Sequence, residues 1–191
     1  MSYIELKSGT DIRGVASDLG GKTVNLTEQA VYDITAAFIV WYINKYEKNS
    51  AEMNVAVGHD SRITGKKIAK KVKEALINAG VSVIDCGLAS TPAMFMTTVD
   101  LKADAAIQIT ASHHPFDRNG LKFFTPEGGL DSSDITEIVK LADNGEDKRL
   151  AAIAVIDLCA GAQLHTGAEL DKSVLLCHGD RVRDSLSLGA G

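Results

Sequence analysis

Met53-Asn-Val-Ala-Val-Gly-His-Asp-Ser-Arg-Ile-Thr-Gly-Lys-Lys-Ile-Ala-Lys-Lys-Val-Lys-Glu-Ala-Leu-Ile-Asn-Ala-Gly-Val-Ser-Val-Ile84 is the stretch on which the fold turns. Met53 to Val57 is a short apolar run that ends at Gly58-His-Asp-Ser-Arg62, the pattern of a buried strand running into a loop. Thr64 then opens a helix in which Ile68, Val72, Ala75, Leu76 and Ala79 recur at helical spacing. Lys66, Lys67, Lys70, Lys71 and Lys73 occupy much of its remaining surface and are read as a solvated helix face rather than a nucleic-acid contact. Gly80 stops the helix, and Val81-Ser-Val-Ile84 supplies a second strand.

The same alternation extends on either side. Thr91-Pro92 begins a further helix through Thr98, with Cys86 expected to be buried beside it, and Ala105-Ala-Ile-Gln-Ile109 is a third strand. Upstream, after an irregular start through Gly21, Thr27 caps a helix with Val31, Ile34, Phe38, Ile39 and Tyr42 on its apolar side. Trp41 and Tyr46 pack that helix. Downstream, Leu121-Lys-Phe-Phe124 returns as a short edge strand, and Asp131 or Ser132 starts a last helix carrying Ile135, Ile138, Val139 and Ala142. Strands alternating with helices predict an α/β fold: a three-layer α/β/α domain with a mixed, mostly parallel sheet, its site at the carboxyl ends of the strands. This domain is expected to span residues 1–150, with Asn144-Gly-Glu-Asp-Lys-Arg149 as its boundary. Residues 151–191 read as an incomplete second segment, either the start of another domain or a loosely packed tail; Leu150 to Ile156 resembles one strand.

Composition sets broad limits. The 191 residues are 45% hydrophobic and 24% charged, which excludes disorder over the whole length. A net charge of −5 argues against broad nucleic-acid binding, so an anionic substrate needs a local basic cluster. Cys86, Cys159 and Cys177 are odd in number and widely spaced, which suggests a reducing compartment rather than a disulfide framework. The start has no basic leader followed by an apolar core, and no apolar run is long enough to span a bilayer. A cytoplasmic protein with no membrane partner is expected.

The chemistry concentrates in Gln108-Ile-Thr-Ala-Ser-His-His-Pro-Phe-Asp-Arg-Asn-Gly-Leu-Lys-Phe-Phe124. Ser112 leaves a buried strand among imidazole and cationic groups. Adjacency to His113 does not make a hydrolase, since no Gly-x-Ser-x-Gly elbow is present. Pro115 ends regular structure and Gly120 permits a tight return, so Arg118 and Lys122 can curl back towards Ser112. Phosphate chemistry explains this set better: a phosphoserine carries about −1.5 to −2 charges and needs several donors to hold it. Lysine supplies a mobile point charge and arginine a rigid fork.

At these residues the chain resembles the α-D-phosphohexomutases, the phosphoglucomutase and phosphomannomutase family. The resemblance rests on Thr110-Ala-Ser-His-His-Pro115, Asn119-Gly-Leu-Lys122, Gly9-Thr-Asp-Ile-Arg-Gly14, Gly58-His-Asp-Ser-Arg62 and Gly87-Leu-Ala-Ser-Thr-Pro92. It implies a phosphoserine at Ser112 that passes its phosphoryl group to a hexose phosphate. A hexose bisphosphate intermediate then returns its other phosphoryl group, so that phosphate moves between C1 and C6. By the same resemblance Lys122 is a proton-transfer group, His113 assists positioning or proton transfer, and Arg13 lines the transfer region. Arg62 and Arg118 are candidates for binding substrate or phosphate, and His114 stands where asparagine is common. The resemblance also implies Mg²⁺ on a phosphoserine oxygen of Ser112 in the complete enzyme, held weakly or not at all by this chain alone.

Complete phosphohexomutases resemble much longer four-domain proteins. Their later domains bring an Asp-Gly-Asp-x-Asp-Arg metal loop, a sugar-recognition loop and a serine- and threonine-rich phosphate clamp, none of which is recognisable here. Gly179-Asp-Arg-Val-Arg-Asp184 does not match the metal loop in residue order. The chain is therefore expected to be the amino-terminal part of such a mutase and inactive alone, with complementary mutase domains as partners. Alternatives are a subunit of a split enzyme and a stand-alone sugar-phosphate-binding module. A nucleotide-binding protein is a weaker reading, because no Gly-x-Gly-x-x-Gly fingerprint follows a strand.

Overall fold

A computed structural model describes residues 2–145 of the chain. The expected boundary beyond residue 145, the strand at 150–156 and the tail through residue 191 lie outside the described residues. Within them, seven strands form one mixed sheet: β1 (Lys7–Ser8), β2 (Asp11–Val15), β3 (Asn54–His59), β4 (Ser82–Leu88), β5 (Ala105–Ile109), β6 (Arg118–Thr125) and β7 (Gly128–Gly129). Four α-helices accompany it: α1 (Glu28–Tyr46), α2 (Gly65–Asn78), α3 (Thr91–Asp100) and α4 (Ser132–Asp143). The strand order is β1-β2-β6-β5-β3-β4, with β7 paired to β6.

The decisive stretch folds as its pattern requires. β3 pairs in parallel with both β4 and β5, and α2 crosses between β3 and β4. Ile68, Val72, Ala75 and Leu76 of α2 are buried. Lys67, Lys71 and Lys73 pair with Glu28, Glu74 and Asp85, as a solvated helix face would. Gly80 ends the helix in the left-handed region at φ 79°.

Helix starts follow local chemistry. The Thr27 hydroxyl accepts from the Ala30 amide at 3.1 Å, and Asp131 with Asp134 forms a reciprocal capping box at α4. At α3 the capping residue is Ser90, one position before the expected start, and Pro92 lies in the first turn.

Strand alternation divides the interior in two. Val55, Val57, Ile107, Ile109 and Phe123 join the larger core with residues of α1, α2 and α4. Ala56, Ala106 and Phe124 join a smaller cluster with Met94 of α3. Phe38 of α1 stacks on Phe123 at 4.7 Å, a contact worth about 0.5–1.5 kcal/mol beyond its area. Cys86 lies partly buried against the smaller cluster, and this burial pushes its thiol pKa up.

Two sequence expectations are corrected. The start through Gly21 is not irregular, because residues 11–15 form a fully buried strand. The return after the serine loop is not a short edge strand: β6 runs eight residues, with β2 on one side and β5 on the other. One change causes the other, since β2 covers the edge that β6 would otherwise present. Parallel pairing is confined to β4-β3-β5; the remaining pairings are antiparallel, and that of β5 with β6 follows from a connecting loop too short for a crossover.

Candidate functional site

Ser112 lies just past the carboxyl end of β5, where Thr110-Ala111 leads the chain out of the sheet. It is exposed, and its φ of 52° is in the left-handed region, a conformation that costs a non-glycine residue about 1–2 kcal/mol. Hydrogen bonds hold it there. The Ser112 amide donates to Thr110 Oγ1 at 3.0 Å, and Thr110 Oγ1 donates to Asp60 Oδ2 at 2.7 Å. Asp60 Oδ1 accepts from the Arg62 amide at 3.0 Å. The loop leaving β3 thus supports the loop leaving β5, as expected where two adjacent parallel strands end together.

Arg62 faces the serine loop from below. Its Nη1 donates to the carbonyls of Pro115 and Arg118 at 2.7 and 3.0 Å, and its Nη2 to those of Ser112 and His114 at 2.6 and 2.7 Å. His113 reaches the reactive side: its Nδ1 is 3.5 Å from Ser112 Oγ, and its ring stacks on His114 at 5.2 Å.

β2 and β6 deliver the remaining cations. Arg13 stands opposite Gly120 across the two strands, and its Nη1 donates to the Thr110 carbonyl at 2.9 Å. Its Nη2 donates to Asp11 Oδ2 at 2.6 Å, while Lys122 Nζ donates to Asp11 Oδ1 at 2.9 Å. One nearly buried carboxylate therefore holds both cations, one on each oxygen. Arg118 differs: among the described residues its guanidinium makes no hydrogen bond or ion pair, and its Nε is buried without a partner. It contributes to the charge that lowers the His114 pKa. Partial burial of the ring is the largest cause of that shift, followed by Arg118, Arg13, His113 and Arg62.

That shift gives a pH dependence. The folded chain takes up the His114 proton less readily than the unfolded chain. Between the depressed folded value and the ordinary 6.5, the unfolded state therefore binds more protons, and stability rises with pH. His114→Gln is expected to flatten this part of the urea-midpoint profile. An unchanged slope would place the proton uptake elsewhere.

The structure thus brings Ser112, His113, Arg13, Lys122, Arg62 and Arg118 to one sheet edge. From the sequence, Asp11, His59 and Asp60 are expected only to organise neighbouring loops, and Thr110 has no task of its own beyond the serine motif. Asp11 and Arg13 share a face by strand alternation, so reading residues 11–15 as a strand would have paired them; nothing local signals the Thr110–Asp60 bond. Magnesium requires an octahedral oxygen shell, and no group of three or more His, Cys, Asp or Glu among the described residues is placed to hold a metal ion. Ser112, or a phosphate on it, supplies one ligand, so the described residues by themselves do not fit the ion. The groove of about 560 Å³ between α1 and α4, lined by Trp41, Lys45, Asp134 and Leu141 among others, includes no residue of the serine loop. Among the described residues no helix is long and apolar enough to cross a membrane.

Comparison with known proteins agrees with this geometry. The family pattern described as phosphoglucomutase/phosphomannomutase, alpha/beta/alpha domain I, matches residues 6–149. A phosphoglucosamine mutase of Leuconostoc citreum is 34% identical over 152 residues, 77% of this chain and 31% of the relative. One of Alkaliphilus metalliredigens is 29% identical over 192 residues, 96% of this chain and 40% of the relative. The crystal structure of a phosphoglucomutase/phosphomannomutase family protein from Burkholderia thailandensis superposes with a TM-score of 0.62 at 25% identity, over 76% of this chain and 31% of that protein. The chain thus spans about a third of the length of the proteins it matches.

Proposed function

Since the chain belongs to the phosphoglucomutase/phosphomannomutase family of α-D-phosphohexomutases, we propose that it is the domain carrying the family's phosphoryl group on Ser112. One observation carries the proposal: an exposed serine held at a strained loop tip, with Arg13, Lys122, His113 and an Arg118 guanidinium unpaired among the described residues gathered around the same sheet edge. Phosphoryl transfer is governed by positioning and charge stabilisation, which these groups supply.

In the proposed reaction, a hydroxyl oxygen of a hexose phosphate attacks the phosphorus on Ser112. The bond to Ser112 Oγ breaks, and the proton lost by the hydroxyl is balanced by the one Oγ regains. The resulting bisphosphate turns over and gives its other phosphoryl group back to Ser112, so that phosphate has moved between C6 and C1. Lys122, bonded to Asp11, would pass protons to and from the transferring oxygens, and Arg13, bonded to the loop carbonyl at Thr110, would add positive charge nearby. His113 orients Oγ, and the Arg118 guanidinium, without a partner among the described residues, would take the substrate phosphate as a fork. Bound magnesium would supply Lewis-acid charge at the phosphoserine, with the rest of its ligands drawn from outside the described residues.

The curated relatives favour a hexosamine phosphate over a glucose or mannose phosphate. Residues 1–150 would form this phosphoserine domain, and the 191 residues alone would not turn substrate over, since among the described residues no cluster is placed to complete a metal shell. The test uses the chain joined to the remaining domains that its relatives possess. Phosphate is expected on the Ser112 peptide, with interconversion of glucosamine 6-phosphate and 1-phosphate; the 191-residue chain alone is expected to show no interconversion. Neither phosphoserine nor turnover in the extended protein would overturn the proposal, and turnover of glucose or mannose phosphates alone would overturn the hexosamine assignment.

A further inference from the structure

We propose that Arg62 is the positioning residue of the serine loop: it turns the loop's peptide groups so that their N–H ends face a phosphate on Ser112. The inference deepens the reading of Ser112 as phosphoryl carrier and rests on it for its functional meaning. A guanidinium has five N–H donors and no acceptor. Four of those of Arg62 are directed at the carbonyls of Ser112, His114, Pro115 and Arg118. The fifth, on Nε, lies 3.4 Å from Asp60 Oδ2, and the side chain is only 12% exposed. That Nε makes no hydrogen bond among the described residues but is buried, so no donor of Arg62 is exposed to a phosphate.

The contacts close a ring around Ser112. On one side, Arg62 Nη2 holds the Ser112 carbonyl. On the other, Thr110 Oγ1 holds the Ser112 amide and is itself bonded to Asp60, the carboxylate beside Arg62 Nε. Both peptide groups flanking a left-handed serine are thereby tied to one network, which is how a strained backbone persists.

The orientation of the peptides has a chemical consequence. No described peptide bond is cis, so each N–H points opposite to the C=O of the same planar unit. With the Ser112 and Pro115 carbonyls drawn to Arg62, the amides of His113 and Phe116 point the other way. Neither amide donates to any described residue. Outward N–H groups without described partners on the loop that carries the serine are an anion-binding arrangement, and four inward carbonyls converging on one guanidinium require a cation to hold them there. Lysine cannot replace that cation: its ammonium is a point charge with three donors, whereas the fork reaches four carbonyls at once.

The test uses the 191-residue chain, without ligand and then with inorganic phosphate. Arg62→Lys and Arg62→Ala are both expected to speed hydrogen exchange of the Ser112, His114 and Arg118 amides at least about 10-fold, while α1 and β5 amides keep their protection. In the parent chain, phosphate is expected to shift the amide resonances of His113 and Phe116, and both variants are expected to lose that response. Unchanged loop exchange without ligand, combined with weaker phosphate binding, would make Arg62 a phosphate ligand and overturn the inference. Recovery of the parent behaviour by lysine would do the same, and a parent chain whose His113 and Phe116 amides ignore phosphate would overturn the anion-facing arrangement. Since exchange is read without ligand or turnover, failure of the phosphoserine assignment would leave the clamp itself measurable.

Discussion

Replacing Ser112 by alanine or by glycine is expected to eliminate phosphorylation of the loop and with it all turnover by the extended protein, yet the two variants should differ in stability. Both remove the oxygen that would carry the phosphoryl group, and the Thr110 hydroxyl two residues away is already committed, bridging the Ser112 amide and Asp60. They differ because residue 112 is held at φ 52°, where a Cβ is disfavoured and glycine is not. The glycine variant should exceed the alanine variant by about 1 kcal/mol in urea unfolding. Peptide mass mapping checks the first outcome and the urea midpoints check the second. Phosphate appearing on another residue with turnover retained would sink the carrier assignment. Equal midpoints would show that the strain is relieved elsewhere in the loop.

Gly120→Ala should be the most damaging small substitution in the described residues. The reason is space rather than backbone freedom. A Cβ at residue 120 would press well inside contact with the Ile12 carbonyl, at 2.9 Å from Arg13 Cδ and 3.0 Å from the Thr110 carbonyl. The bare backbone at Gly120 is what lets the Arg13 side chain cross from β2 and reach the Thr110 carbonyl. One methyl group therefore forces β2 from β6 and lifts a cation from the site together. The expected loss is about 3 kcal/mol or more, above the usual range for overpacking because two of the three obstacles are main-chain oxygens. Gly9→Ala is the control: φ there is 63°, but nothing lies within 4 Å, so only the conformational cost of about 1 kcal/mol is expected. If Gly120→Ala proves no worse than Gly9→Ala, the close approach of β2 and β6 is not what the site depends on.

Legibility in the sequence followed the range of the interaction. α2 could be read because its apolar positions repeat at 3.6 residues, and α4 because Asp131 caps it; both signals lie within a few residues. β5 could be read residue for residue because four of its five buried residues are apolar, Gln108 alone interrupting the run. β2 was missed for a complementary reason: Asp11-Ile-Arg-Gly-Val15 is buried along its length, yet carries two charged groups and a glycine. Its burial is stabilised by Lys122 and Gly120 on β6, more than a hundred residues along the chain, as the Asp11–Lys122 separation of 111 positions shows. The error over β6 followed from it, since a strand is an edge only until its neighbour is known.

From the sequence alone came the α/β alternation, the position of the serine loop at a strand's carboxyl end, and the group of residues that gathers there. The first two follow from periodicity, capping and turn chemistry, which act between near neighbours, whereas Arg13 and Arg62 entered the group through the family resemblance of their motifs. Tertiary structure alone decided what each cation does. Asp11 holds Arg13 and Lys122 on its two oxygens, the Arg118 guanidinium has no partner among the described residues, and Arg62 spends its four Nη donors on carbonyls 50 to 56 positions away. Three arginines are alike as letters in a sequence. They differ once strand register and loop curvature settle which acceptors lie within 3 Å of each guanidinium, because a hydrogen bond depends on distance and direction that no local pattern encodes.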